Sequence, residues 1–151
     1  MITLIAIGTH KEKAWEVIEK DYIDRLSHYA KFKLLMLPEL QNKDVSRLKD
    51  TEGDNILSKI SNGDFVIALD VGGRQVSSDN LAQQLNKWQV HHDNIVFVIG
   101  SSWGLSETVI KRANLKLSLS EMTFTHTMAR VILLEQIYRG FKILNNEEYH
   151  K

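Results

Sequence analysis

Five short apolar runs, separated by longer amphipathic stretches, constrain this chain more than any other feature. Ile2-Thr3-Leu4-Ile5-Ala6-Ile7 has almost no polar residue and stops at Gly8. A run of that length and composition suits a strand buried on both faces of a sheet. Phe65-Val66-Ile67-Ala68-Leu69, closed by Asp70-Val71-Gly72-Gly73, and residues 94–99, closed by Gly100, repeat the pattern. Residues 33–37 before Pro38 and the alternating Leu115-Lys116-Leu117-Ser118-Leu119 complete the set.

The intervening stretches read as helices. From 11 to 29, Trp15, Ile18, Tyr22, Leu26 and Tyr29 recur every three or four positions among charges, one stripe of a helix. A polar, charge-rich segment at 39–50 precedes a helical pattern through Ile56, Leu57 and Ile60, which ends at the Asn62-Gly63 turn. Ser77-Ser78-Asp79 resembles an N-cap for a helix to about Gln89. Residues 127–144 carry the strongest stripe, and their apolar positions exceed one face, which predicts a partner surface and a homodimer. Strands alternating with helices imply an α/β fold, a mostly parallel sheet with helices on both faces.

With 151 residues, 43% of them hydrophobic, one Pro and eight Gly, the chain is expected to form a single domain over 1–151. Nineteen basic residues balance nineteen acidic ones, so no global field holds nucleic acid or an acidic membrane. Any RNA must be recognised locally. The absence of cysteine excludes disulfides, thiolate zinc sites and a cysteine nucleophile. His91-His92 lacks nearby acids at metal spacing and reads as polar surface, so no metal is expected. The run 2–7 is too short for a signal peptide or a membrane span, and a cytoplasmic location is expected.

In an open parallel sheet, ligands bind beyond the carboxyl ends of the strands. Three ends stand out: Leu69-Asp70 with its glycines, Ile99-Gly100-Ser101-Ser102-Trp103-Gly104-Leu105, and Leu119-Ser120-Glu121-Met122-Thr123-Phe124 running into Thr125-His126. Gly100 and Gly104 allow backbone to approach a ligand, and a helix starting near Ser106-Glu107 can offer amides to it. A plain strand-to-helix turn has the same spacing. The glycines fit neither a dinucleotide fingerprint nor a P-loop, and Ser101 and Ser102 fit no nucleophile elbow. That disfavours a kinase, a dehydrogenase or a serine hydrolase.

His126 suits a base or a ligand contact as well as a helix-capping role, with Arg130 four residues on. Trp103 suits stacking on a base as well as core packing. Tyr149-His150-Lys151 brings a phenol, an imidazole and an ammonium together where chain ends commonly fray.

The order and content of these segments resemble the RlmH family from end to end, most specifically from Val96 onward. The resemblance rests on Gly100-Ser101-Ser102-Trp103-Gly104-Leu105, Leu117 through His126, Met128-Ala129-Arg130-Val131, Glu135-Gln136-Ile137-Tyr138-Arg139, Phe141-Lys142-Ile143 and Tyr149-His150-Lys151. These are small SPOUT-class methyltransferases that modify N3 of a pseudouridine in 23S ribosomal RNA, using S-adenosylmethionine. The resemblance implies a C-terminal deep trefoil knot, a homodimer, and action on 23S rRNA within the ribosome.

By position, it places the cofactor against Leu69, Gly100 and the run Leu119, Ser120, Glu121, Met122, Thr123 and Phe124. Candidates for the substrate side are His150 with Tyr149, reaching the pocket of the other subunit, then His126 as an alternative base. Arg130 and Arg139 are candidates to stabilise an imide anion or hold a phosphate. The chain departs from the family at Ser101, Thr125 and Thr127, where the family has Gly, Pro or Ser, and Gln. A side chain at 101 is expected to crowd the loop. A rival reading is a non-catalytic RNA-binding protein on the same fold.

Overall fold

In the computed structural model, which describes residues 1–9 and 12–149, strand and helix alternate throughout. The order is β1 (Ile2–Ile7), α1 (Lys13–Leu26), β2 (Phe32–Leu37), α2 (Val45–Leu57), β3 (Phe65–Arg74), α3 (Ser78–His91), β4 (Ile95–Ile99), α4 (Glu107–Arg112), β5 (Leu115–Leu117) and α5 (His126–Leu144). The strands pair in the order β2-β1-β4-β3-β5, and every pairing is parallel. The expected α/β sheet is therefore present, and all five strands run one way.

Alternation along each strand divides the core. Ile2, Leu4 and Ala6 of β1 join Ile95, Phe97 and Ile99 of β4 on the face covered by α1, α3 and α5. Ile5, Ile7, Val66, Ala68, Val96 and Val98 turn to the other face, under Ile56 of α2 and Val109 of α4. Continuous apolar runs are what such double coverage requires, since each successive side chain meets a different layer. Full burial of a single Leu or Ile contributes about 1.5–3 kcal/mol, so these two layers supply the main driving force for folding.

Several boundaries differ from the sequence expectation for local reasons. Helix α2 starts inside the polar segment because Asp44 caps it, accepting from Arg47 N at 3.2 Å. Strand β5 ends at Leu117, two residues early: Ser118 N donates to Arg74 O at 3.0 Å, and the Ser118 hydroxyl donates to Ser120 O at 2.9 Å. Those bonds turn Leu119 out of the ladder.

Strand β3 runs five residues past Leu69 through a bulge, and both Leu69 and Arg74 lie opposite Leu117. Gly73 makes that return possible, since a Cβ there would sit 2.7 Å from the Leu117 carbonyl carbon. The expected cap of α3 is observed at Ser77, whose hydroxyl accepts from Asn80 N.

Helix α5 lies between α1 and α3, with Leu133, Leu134, Ile137 and Phe141 buried by its own chain. What remains outward is smaller than the sequence stripe suggested: Met128 is exposed, and Val131 and Ile132 are half-buried.

Candidate active site

The parallel register sets the site. Ala68 lies opposite Val98, and Leu69 lies opposite Leu117, so β3, β4 and β5 end side by side. Their three loops wall a cavity of about 700 Å3, within the range of small-molecule sites. Leu69, Gly100, Leu119, Ser120, Met122, Thr123 and Phe124 all line it, as does His126. Glu121 is exposed and does not line it. Asp70, Val71, Ser101, Ser102, Trp103, Ser118 and Ala129 belong to the lining as well. They extend the expected set, and the strand-end rule that picked out the three loops was the signal for most of them.

The middle loop is a tight turn. Gly104 N donates to Ser101 O at 2.9 Å, and Gly104 takes φ +81°, the left-handed region. A Cβ on Gly100 would lie 2.6 Å from Gly104 C and O. Glycine at 100 thus lets the loop close on itself, a different reason from the expected one of sparing room for a ligand.

Ser101 does not crowd this loop. Its hydroxyl points inward and donates to Glu52 Oε2 at 2.8 Å, in a buried contact. The start of α4 is also directed away from the cavity. Ser106 caps it, accepting from Val109 N, and its hydroxyl packs on Gly53 of α2, where a Cβ would fall 2.1 Å away.

The candidate substrate-side residues separate into three places. His126 begins α5 at the cavity wall after its N-cap Thr125, and its Nε2 would lie 3.1 Å from a Cβ on Gly8. Arg130, one turn later, shares that contact with Gly8 but is fully buried. It donates from Nη1 to Gly8 O at 2.7 Å and from Nε to Glu19 Oε1 at 2.6 Å. Tyr149 and Arg139 meet each other further along α5.

The Tyr149 hydroxyl donates to Glu135 Oε1 at 3.1 Å, Arg139 sits 4.8 Å from its ring centroid, and Tyr138 meets it edge-on at 5.1 Å. Burial, followed by the bonds to Tyr22 and Glu135, pushes the Tyr149 phenol well above its ordinary value. At 1.5 Å per residue, Glu135 lies about 14 Å along the helix from His126, so this cluster is remote from its own cavity. His150 lies outside the described residues.

Trp103 is 55% exposed, which decides between its two sequence readings in favour of a surface aromatic. His91 is exposed as expected, whereas His92 stacks on Phe65 with centroids 4.4 Å apart.

The lining suits S-adenosylmethionine chemically. Leu69, Ile99, Leu117, Leu119 and Phe124 offer apolar walls to a flat purine, loop backbone offers hydrogen bonds, and Asp70 is the one carboxylate. Among the described residues, no Lys or Arg lines the cavity to oppose a sulfonium. Among the described residues, no group of His, Asp or Glu is arranged to hold a metal, and no helix is long and apolar enough to cross a membrane.

A parallel sheet whose last three strand-end loops enclose a mostly apolar cavity, without Lys or Arg among the described residues, defines an α/β protein with a small-molecule cavity at those loops. The chain belongs to the SPOUT methyltransferase family: the family described as "Predicted SPOUT methyltransferase" matches residues 1–150. It is 44% identical to the ribosomal RNA large subunit methyltransferase H of Christiangramia forsetii, over 99% of this chain and 98% of that protein. It is 45% identical to the protein of the same name from Alkaliphilus oremlandii, over 99% of both chains. A solved probable methylase family protein from Haemophilus influenzae shares the fold, with a TM-score of 0.58 at 15% identity, over 99% of this chain and 70% of that one.

Proposed function

We propose that this chain, acting as one SPOUT domain, transfers a methyl group from S-adenosylmethionine to N3 of a pseudouridine in 23S rRNA within the assembled ribosome. The observation that carries the reading is the alignment of Leu69, Gly100, residues 117–120 and residues 122–124 around one cavity, in a chain closely related to large-subunit rRNA methyltransferases. A C-terminal deep trefoil knot is part of the same proposal.

When bound, S-adenosylmethionine supplies an activated methyl electrophile, so the protein's work is binding, alignment and electrostatics. The apolar walls would hold the flat part of the ligand, while the Asp70 carboxylate and the hydroxyls of Ser120 and Thr123 would meet its polar part. The substrate nitrogen is an imide N–H between two carbonyls, and it becomes nucleophilic only as that proton leaves. His126 stands at the cavity wall to accept it. His150, with Tyr149, is the preferred group, delivered from the second subunit. The docking of Tyr149 about 14 Å along α5 from its own His126 favours delivery to a partner over delivery to its own cavity.

Arg139, packed on Tyr149, fits the role of holding a phosphate or steadying the tail. Arg130 is enclosed and serves to anchor α5. The exposed apolar side chains Val71 and Met122 at the cavity, with Met128 exposed on α5, support a homodimer that covers them. Ser101, the one hint of a non-catalytic protein, leaves the cavity open because its hydroxyl is turned to Glu52.

The test is methyl incorporation into assembled ribosomal particles and into isolated 23S RNA, with calorimetric titration of S-adenosylmethionine and sedimentation of the protein in parallel. Expected are cofactor binding, a dimer at micromolar concentration, and far better transfer to particles than to naked RNA, because a neutral protein makes few phosphate contacts. Deleting Tyr149, His150 and Lys151 should depress transfer far more than cofactor affinity. Failure to bind S-adenosylmethionine would end the proposal.

A further inference from the structure

A second cavity, of about 490 Å3, opens beside the first and shares Trp103 with it. Its other wall is the loop 39–43 that follows β2, and Leu48 lies in its lining as a buried apolar residue. Trp103 occupies the third position of the Ser101–Gly104 turn with its indole more than half exposed, so the core does not account for its placement. Facing it are the exposed amides of Gln41 and Asn42 and the exposed Lys43. The Asn42 carbonyl oxygen is engaged by Asp44 N at 3.0 Å, which leaves its NH2 group as the donor available to a ligand.

The cleft is held at a fixed width from inside. Glu52 is 2% exposed; its Oε1 accepts from Leu40 N at 3.1 Å, and its Oε2 accepts from the Ser101 hydroxyl at 2.8 Å. One buried carboxylate therefore braces both walls, the 39–43 loop and the Trp103 turn. At the rim the Ser102 hydroxyl adds a longer bond to Glu39 Oε1, at 3.4 Å. Such bracing organises a site before its ligand arrives and lowers the ordering cost of binding.

We infer that this cleft is a subsite for one unpaired nucleotide of the RNA, a neighbour of the nucleotide presented to the methyl-transfer cavity. The inference rests on the reading of the chain as an rRNA methyltransferase. The base stacks on the indole of Trp103, its edge meets the Gln41 and Asn42 amides, and Lys43 neutralises its phosphate. An aromatic platform beside amide donors and a single cation matches how unpaired RNA is held. Glu39 at the Ser102 rim repels phosphate there and sends the backbone past Lys43. In a protein without net charge, a subsite of this kind supplies locally the contacts that a basic surface supplies elsewhere. Glu52 is a positioning residue in this arrangement, acting through Leu40 and Ser101.

The experiment uses the full chain, S-adenosylmethionine and assembled ribosomal particles. Gln41 and Lys43 lie outside the cofactor cavity, so a Gln41→Ala/Lys43→Ala variant should keep its cofactor affinity and its kcat while KM for the particles rises. Trp103→Leu should raise that KM about tenfold, the scale of one lost base–aromatic stack, whereas Trp103→Phe should recover most of the loss. Ultraviolet cross-linking to particles carrying 4-thiouridine should map one RNA nucleotide to peptides containing Trp103 and residues 39–43.

An unchanged KM in both Trp103→Leu and the double variant, or 4-thiouridine cross-links that map only to peptides other than those containing Trp103 and residues 39–43, would overturn the subsite and leave the methyltransferase reading intact. Weakened cofactor binding in the double variant would reassign the cleft to the cofactor cavity and overturn the subsite as well. Absence of transfer by the unsubstituted protein would remove the reading beneath it and the subsite together.

Discussion

Arg130 and Glu19 form an ion pair 2.6 Å long inside the protein, with the arginine side chain fully enclosed and the glutamate 5% exposed. Arg130 also caps the carbonyl of Gly8, so α1, α5 and the end of β1 converge on a single guanidinium. Its neighbour one turn earlier, His126, leans on the same glycine at the cavity wall. The ion pair therefore fixes the angle at which α5 enters the site.

Removing one partner strands a buried charge, so Glu19→Ala should destabilise the fold by about 3–5 kcal/mol. A double substitution, Glu19→Leu with Arg130→Met, should cost distinctly less than the sum of the two single changes. Urea unfolding of the two single variants and the double variant checks this. Additive losses would show that the pair is not coupled.

At the cofactor loop, Gly100→Ala is expected to force the turn apart, because the new methyl would meet Gly104 backbone at 2.6 Å. S-adenosylmethionine affinity should fall at least tenfold, while far-ultraviolet dichroism retains the helix and strand content. Calorimetry on the purified variant measures the first, and an unchanged affinity would take this loop out of the site.

Ser101→Ala tests the inward hydroxyl. It leaves Glu52 Oε2 buried without its donor, which should cost about 1–3 kcal/mol or more, given the carboxylate's charge. Ser101→Thr, which keeps the hydroxyl, should lose less than Ser101→Ala. Thermal melts of the two variants discriminate; equal melting temperatures would mean that packing, and not the hydrogen bond, holds the residue.

The C-terminal segment should loosen in acid. Glu147 accepts from Lys142 and, at 2.8 Å, from the Tyr29 hydroxyl, and these bonds, Lys142 first, hold its carboxyl below the ordinary value. A lowered carboxyl pKa contributes stability that is present above the unfolded value and lost as pH falls through the folded one. The window is therefore below about pH 4.5. Limited proteolysis after Asn145 should accelerate there in the parent protein and be fast already at pH 7 in Glu147→Gln.

Much of the site was legible in the sequence because it is built from contiguous strand ends. Leu69, Gly100 and the lining residues of 119–124, all but Glu121, stand where apolar runs stop, and in a parallel sheet those stops lie along one edge. Strand alternation, double coverage of the sheet and the cap at Ser77 are likewise local, written in period and residue type.

The tertiary structure decided which polar groups meet. Arg130 shares a helical face with His126, as its spacing implied, but only the packing of α1 against α5 brings Glu19, 111 positions away, to its guanidinium. Ser101 reads as a crowded glycine position until α2 places Glu52 beneath it, 49 residues distant. Tyr149 reads as a free end until the Glu135 and Arg139 turn receives it. Periodicity reports which side of an element leaves water; it carries no information about the partner that a buried hydrogen-bonding group must find, because that partner is chosen by the packing of distant segments.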